Sequence, residues 1–226
     1  MVKTLYIVHG WTYTVEPWSK TIQLLTDAGF RIKMLNVPGL TTESKKVWTI
    51  EDYASWADKN IPDGAVALGH SNGGRILLNL LSQNPEKLKH VILLDSAGIY
   101  EESKKRNIAR KTSKLFAPLK SVKPLRKVYH KVLGASDYDH APENMKKTLA
   151  NMLDSDKKLD FSKITTPATI LWGKNDTVTL PRQAEKMHDR LKNSTLSFYE
   201  NWTHAPYICD PNGLACAIGK VLKGIE

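Results

Sequence analysis

Short β-branched runs alternate along this chain with longer stretches whose apolar residues recur at helical spacing. A period of two marks a strand and a period near 3.6 marks a helix, so the alternation can be read as elements. Residues 3–8 read as a first strand. Residues 17–28 read as a helix, because Pro17 suits a first-turn position, Ile22, Leu24 and Leu25 form an apolar stripe, and Gly29 is a stop signal. Residues 31–37 form a second strand that Pro38-Gly39 breaks into a loop. A second helix spans 49–60, with Thr49 as N-cap and Asp52 three residues on, close to a capping box. Residues 65–68 are a short, wholly apolar strand, 69–74 a tight turn, and 72–83 a helix ended near Pro85. A fourth strand covers 89–94, with Asp95 at its C-terminal end.

Residues 99–160 interrupt the alternation: they hold helical stretches near 103–115, 119–133 and 142–153 and no convincing strand. The pattern then resumes with a strand at 168–172, a helix at 181–191, a strand at 195–199 and a last helix at 211–223. Six strands separated by helices predict an α/β fold, a mainly parallel sheet with right-handed crossovers and helices on both faces. The expected organisation is a core of residues 1–98 and 161–226, with 99–160 inserted as a helical cap after the fourth strand. Ligands in such sheets bind at the carboxyl ends of the strands. No internal repeat or low-complexity tract is present.

Composition narrows the class. With 226 residues, 41% hydrophobic and 25% charged, the chain suits one soluble globular domain. No stretch approaches the roughly 20 apolar residues of a membrane span. The first residues run straight into a strand pattern without the apolar region and cleavage site of a signal peptide, so the expected location is cytoplasmic. Cys209 and Cys216 suggest neither a disulfide framework nor a metal site and read as two buried or half-buried thiols. The net charge of +10 is concentrated between Tyr100 and Gly134, where eleven basic residues face two acidic ones. Such a segment fits a solvated helix face, and also weak contact with an anionic surface or substrate. No motif or interleaved aromatic pattern accompanies it, so no nucleic-acid partner is expected.

The strongest chemical signal is Gly69-His70-Ser71-Asn72-Gly73-Gly74, which follows an apolar strand and opens a helix. A strand turning this sharply into a helix strains the intervening residue, and Gly69 and Gly73 leave room for the close approach. Ser71 is thereby pushed out over the sheet at the positive end of the next helix. A serine hydroxyl is a weak nucleophile and needs an adjacent base. Of the seven histidines, His204 lies in the loop between the last strand and the last helix, where it can reach Ser71. An acid must orient that imidazole. Asp176, in the glycine-marked loop after the fifth strand, is the first choice, and Asp95 after the fourth strand is the second. An oxyanion hole needs two aimed N–H groups, which Asn72 and Trp11 would supply, with Gly10 allowing close approach. Tyr100, Tyr138 and His140 are candidates to line a substrate pocket, and ordinary cap packing explains them equally well.

The chain resembles the α/β-hydrolase fold family, in its esterase and carbon–carbon bond hydrolase group. The resemblance rests on His9-Gly10, on Gly69-His70-Ser71-Asn72-Gly73-Gly74, on the segment from Pro167 to Asp176 and on Thr203-His204, with Ser, Asp and His in the family's order. It implies a helical cap over the active site at residues 99–160, acyl-enzyme chemistry on a small-molecule ester, and no metal or cofactor. Two departures stand out: the sheet starts without the family's opening hairpin, and the cap is unusually basic. Haloalkane dehalogenases and epoxide hydrolases of the same fold place aspartate at the nucleophile position, which Ser71 argues against; peroxidases and hydroxynitrile lyases keep the serine. Amide, thioester or carbon–carbon bond hydrolysis uses the same triad. A non-catalytic fold member holding an anionic partner through the basic cap is the alternative from another class.

Overall fold

The computed structural model describes residues 3–101 and 141–225. Six parallel strands form one sheet in the order β2-β1-β3-β4-β5-β6, with β1 at Thr4–Val8, β2 at Arg31–Met34, β3 at Ala65–His70, β4 at Leu88–Leu94, β5 at Ala168–Gly173 and β6 at Ser194–Tyr199. The described helices are α1 at Ser19–Asp27, α2 at Ile50–Asn60, α3 at Asn72–Gln83, α4 at Glu143–Ser155, α5 at Pro181–Arg190, the short α6 at Pro206–Cys209, and α7 at Pro211–Gly224.

The central strands are mostly apolar because both faces are covered. Leu5 and Ile7 of β1, Val66 and Leu68 of β3, and Ile92 and Leu94 of β4 pack with Leu25 of α1 and with Leu214, Ile218 and Leu222 of α7. The intervening residues Val8, Ala67, Val91 and Leu93 face the other way, toward Tyr53 and Ala57 of α2, Leu77 and Leu81 of α3, and Met187 of α5. Burying each such leucine or isoleucine stabilises the fold by about 1.5–3 kcal/mol.

Several boundaries differ from the pattern. β2 ends at Met34 rather than residue 37, because the Val37 carbonyl accepts the N–H groups of Leu40, Thr41 and Thr42 and curls the chain into a turn. β3 runs on to His70, two residues past the predicted end. The capping box of α2 is formed: the Thr49 hydroxyl accepts the Asp52 N–H at 3.2 Å and the Asp52 carboxylate accepts the Thr49 N–H at 3.0 Å. Both cysteines are exposed, not buried or half-buried as expected. On α7 the apolar stripe of Leu214, Ile218 and Leu222 turns inward and leaves Cys216 to solvent, and Cys209 ends α6.

Between β4 and β5 the described residues include α4, which covers the predicted 142–153 helix. The predicted helices near 103–115 and 119–133 lie outside the described residues. α4 docks on the loop before α2: the Trp48 N–H donates to Thr148 Oγ1 at 2.9 Å, and Asn144 Nδ2 donates to the Ser44 carbonyl at 2.9 Å. The chain leaving β4 is tied to α5 by Glu101, which accepts a fork from Arg182 at 2.9 and 2.8 Å and a third bond from Lys186. The Arg182 hydrogen bonds outweigh desolvation and hold the Glu101 carboxyl down to about 2. Among the described residues no helix is long and apolar enough to cross a membrane.

Candidate active site

The chain runs from β1 outward to β2 and then returns to place β3 on the other side of β1. Loops leaving β1 and β3 therefore diverge and open a crevice at the carboxyl edge of the sheet. The β1 loop begins with His9 and Gly10, and β3 ends at His70 with Ser71 next.

Ser71 has φ 52° and ψ −119°, a conformation that side chains other than glycine rarely adopt. Its neighbours hold it there. The Ser71 N–H donates to the Leu94 carbonyl at 3.1 Å, and the Ser71 carbonyl accepts the N–H groups of Gly74 and Ala97 at 3.0 Å. The glycines around it are needed because backbone packs on backbone. A Cβ on Gly73 would lie 1.9 Å from the Val8 carbonyl oxygen, and one on Gly69 would lie 2.5 Å from Gly74 Cα. Gly10 sits directly against the serine, since a Cβ there would be 3.0 Å from Ser71 Cβ.

His204 Nε2 lies 3.0 Å from Ser71 Oγ. Its Nδ1 lies 2.8 Å from Asp176 Oδ2. A carboxylate oxygen accepts, so Nδ1 carries the proton and Nε2 presents its lone pair to the serine hydroxyl. Asp176 is further held by the N–H groups of Val178 at 2.7 Å and Thr179 at 3.0 Å, both on Oδ1, and by the Thr179 hydroxyl at 2.6 Å on Oδ2. Burial pushes its carboxyl up, but the hydrogen bonds from His204, Thr179 and Val178 together outweigh burial and leave it below the ordinary value. The His204 loop reaches this position across Gly173, where a Cβ would meet the Trp202 carbonyl oxygen at 2.4 Å. The Asn175 N–H donates to that carbonyl at 3.0 Å.

Of the two candidate acids, Asp176 is the one bonded to His204. Asp95 sits beside it, fully buried with φ 42°, and its Oδ1 accepts the Gly173 N–H at 2.8 Å.

The two N–H groups expected to face an oxyanion are differently supported. Asn72 is the first residue of α3, so its N–H has no acceptor within the helix. In the β1 loop, His9 Nδ1 lies 2.8 Å from the Gly10 carbonyl. That contact needs Nδ1–H as donor, which leaves Nε2 to accept the Thr41 hydroxyl at 2.9 Å. Burial lowers the His9 pKa, consistent with a neutral ring. The Gly10 carbonyl and the Trp11 N–H belong to one trans peptide and point in opposite directions, so His9 also sets the direction of the Trp11 N–H. The Trp11 side chain packs against the main core cluster.

Three contacts were not legible in the sequence. His70 Nε2 donates to the His204 carbonyl at 2.7 Å. Burial, reinforced by the charge of His204, pushes the His70 pKa down to about 3 and keeps this ring neutral. Thr179 supports Asp176 from its own loop, three residues on, a spacing that an Asp-x-x-Thr pattern could have flagged. Arg75 of α3 makes a buried fork with Asp156 at 2.7 and 2.8 Å and also donates to the Asn72 side chain, joining the helix that follows Ser71 to the end of α4. Tyr100 is exposed and lies under Lys157 at 5.6 Å; among the described residues nothing joins it to Ser71, Asp176 or His204. Tyr138 and His140 lie outside the described residues. Among those described, no cluster of His, Cys, Asp and Glu has metal-binding geometry.

Comparison with known proteins agrees with this architecture. Residues 3–109 match the family model of the alpha/beta hydrolase fold. This chain has the α/β-hydrolase fold. Over 97% of its length it is 23% identical to pimeloyl-[acyl-carrier protein] methyl ester esterase of Aromatoleum aromaticum, covering 98% of that protein. It is 25% identical to the protein of the same name from Neisseria meningitidis serogroup C, across 99% of this chain and 95% of the relative. Among solved structures, a lipase-esterase related protein from Clostridium acetobutylicum superposes with a TM-score of 0.74 at 17% identity, covering 96% of this chain and 93% of that one.

Proposed function

We propose that this α/β hydrolase cleaves carboxylic esters by two-step acyl transfer, with Ser71 as nucleophile, His204 as base and Asp176 as the orienting acid. The observation that carries the reading is the continuous hydrogen-bonded chain from Ser71 Oγ to His204 Nε2 at 3.0 Å and from His204 Nδ1 to Asp176 Oδ2 at 2.8 Å. Ser71 Oγ attacks the ester carbonyl as its proton passes to His204 Nε2. The oxyanion rests on the N–H groups of Trp11 and Asn72, each worth about 2.7–4 kcal/mol of barrier in such sites. His204 then protonates the leaving alcohol, and water repeats the sequence on the acyl-enzyme. No metal or cofactor enters these steps.

Ser71→Ala is expected to lower p-nitrophenyl ester hydrolysis by about 10⁴-fold or more. A fluorophosphonate probe should label the wild-type chain and not this variant. Full esterase activity in Ser71→Ala would sink the assignment.

A refinement concerns the substrate. The basic stretch between Tyr100 and Gly134 favours an ester that carries negative charge elsewhere in the molecule. The two esterases above, whose name specifies a methyl ester on an acyl carrier protein, make the methyl ester of a carrier-bound acyl chain the first substrate to try. KM for an anionic ester should rise with salt while kcat stays constant, and KM for a neutral ester should not change. Amide, thioester and carbon–carbon substrates belong in the same panel, because the triad alone does not distinguish them.

A further inference from the structure

Asp95 combines three features that Ser71, His204 and Asp176 do not account for. It is fully buried at the end of β4, in the interior of the sheet. With Ser71 it makes up the described non-glycine residues of positive φ. Its Oδ2 is buried and meets no donor among the described residues. Oδ1 already has a donor in the Gly173 N–H at 2.8 Å. The neighbouring carboxyl is that of Asp176: Thr179 Oγ1 lies 3.0 Å from the Asp95 carbonyl and 2.6 Å from Asp176 Oδ2, and the two carboxyls interact. Two carboxylates are both acceptors and cannot bond each other, and two adjacent buried negative charges repel strongly. A single proton between them removes both problems.

The surroundings decide which carboxyl holds it. Asp176 accepts from His204, Val178 and Thr179, all of which stabilise the ionised form. Asp95 has one backbone donor and no cation. The titratable groups facing it are Asp176 on the β5 loop and Cys209 and Tyr207 on α6, with His204 beyond Asp176; none of the first three is a cation. The Thr179 hydroxyl fits the same arrangement. It has one hydrogen and two acceptors in reach, Asp176 Oδ2 at 2.6 Å and the Asp95 carbonyl at 3.0 Å. An ionised carboxylate offers about four lone-pair sites, of which His204 Nδ1 and the two N–H groups fill three. The fourth is open to the Asp95 proton when the Thr179 hydroxyl donates to the Asp95 carbonyl.

Building on the triad reading above, we infer that Asp95 is a positioning residue for the triad acid: it carries the one proton of the Asp95–Asp176 pair and donates it as a hydrogen bond to the Asp176 carboxylate. No proton is transferred during turnover. The pair keeps a single negative charge, located on Asp176, and Asp176 is braced from the side opposite His204. Burial supports this by pushing the Asp95 carboxyl well above its ordinary value, with the Asp176 charge acting in the same direction. A group whose folded pKa is raised contributes stability below its unfolded value and loses it as pH rises through the folded value. Asp95 therefore weakens the fold progressively above pH 3.8, the ordinary aspartate value.

The test compares Asp95→Asn with the wild type and with Asp176→Asn. Asparagine keeps a donor for Asp176 and an acceptor for the Gly173 N–H. Isotope-edited infrared spectroscopy at pH 7 should show a protonated-carboxyl C=O stretch in the wild type, in Ser71→Ala and in Asp176→Asn, and none in Asp95→Asn. The kcat/KM of Asp95→Asn should stay within about threefold of wild type, with the acid limb of its pH profile unmoved. Its urea midpoint should gain on wild type as pH rises from 5 to 8. Asp95→Leu, which removes the donor, should lower kcat by about 10–100-fold with KM unchanged. The inference is overturned if the wild-type band is absent. It is equally overturned if the band disappears in Asp176→Asn, or if the acid limb moves to lower pH in Asp95→Asn, as it would were Asp95 a second negative charge near His204. Should Asp95→Asn fail to fold, the wild-type and Asp176→Asn spectra still decide. The spectra do not depend on turnover, so a band with the predicted mutant pattern in a protein without esterase activity would refute the proposed function and leave this pairing standing.

Discussion

On one side of the crevice the site is held by backbone, and on the other by side chains. Gly69 and Gly73 let β1, β3 and α3 meet at distances no Cβ allows, and Ser71 and its neighbouring N–H groups follow from that contact. Across the crevice, Asp95, Asp176, Thr179, His70 and His204 form a polar cluster whose members come from three loops and the end of β3. The two constructions differ in what a substitution can do. Backbone contacts are shared with the sheet, so damage there reaches the fold. The side-chain cluster adds direction and charge to a scaffold that stands without it.

Gly73→Ala tests the backbone side and carries the largest expected effect. The added methyl would overlap the Val8 carbonyl, 1.9 Å away, and α3 cannot retreat without losing its packing on β1. A loss of at least about 4 kcal/mol of stability, read by urea unfolding, is expected. Asp176→Asn tests the other side. The fold should hold, while kcat falls by about 10⁴-fold because an amide favours the wrong tautomer of His204. Loss of the folded state in Asp176→Asn would erase the distinction between the two sides.

His70 sharpens the contrast, since it is a β3 residue serving the side-chain cluster. Its folded pKa, about 3, lies below its ordinary 6.5. Stability from this ring is therefore present above pH 6.5 and lost as pH falls toward 3, at about 1.4 kcal/mol per unit. His9 and His90, also lowered by burial, add to the same slope. His70→Gln keeps a donor for the His204 carbonyl and removes the titration, so unfolding free energy between pH 6 and pH 4 should fall less steeply than in wild type. Thr179→Val carries the smallest effect. It removes the hydroxyl, and with it the bond to either acceptor, while Asp95 still donates to Asp176, so kcat should drop about 10-fold. A drop as large as that of Asp176→Asn would mean that Thr179, not Asp95, braces the acid.

The backbone side was legible in the residues themselves. Six strands, their order along the chain and the strand–turn–helix at Gly69–Gly74 all follow from period and from glycine placement, because local sterics leave few alternatives. The Ser71, Asp176 and His204 chain was legible for a related reason: in a parallel sheet every such loop must emerge at the carboxyl edge, so position in the order predicts proximity. The apolar pattern extends past the end of β2 because Val37 is apolar in a loop, buried by tertiary packing and not by a ladder. Proximity alone, however, does not say which groups bond. Asp95 and Asp176 looked like competitors in the sequence, each ending a strand. Only the packed structure made them neighbours, gave Asp176 the histidine and the backbone donors, and left Asp95 buried against it. Charge state depends on what surrounds a group in three dimensions, and here those surroundings come from β4, β5, α6 and the loop of His204, which meet only after the chain has folded.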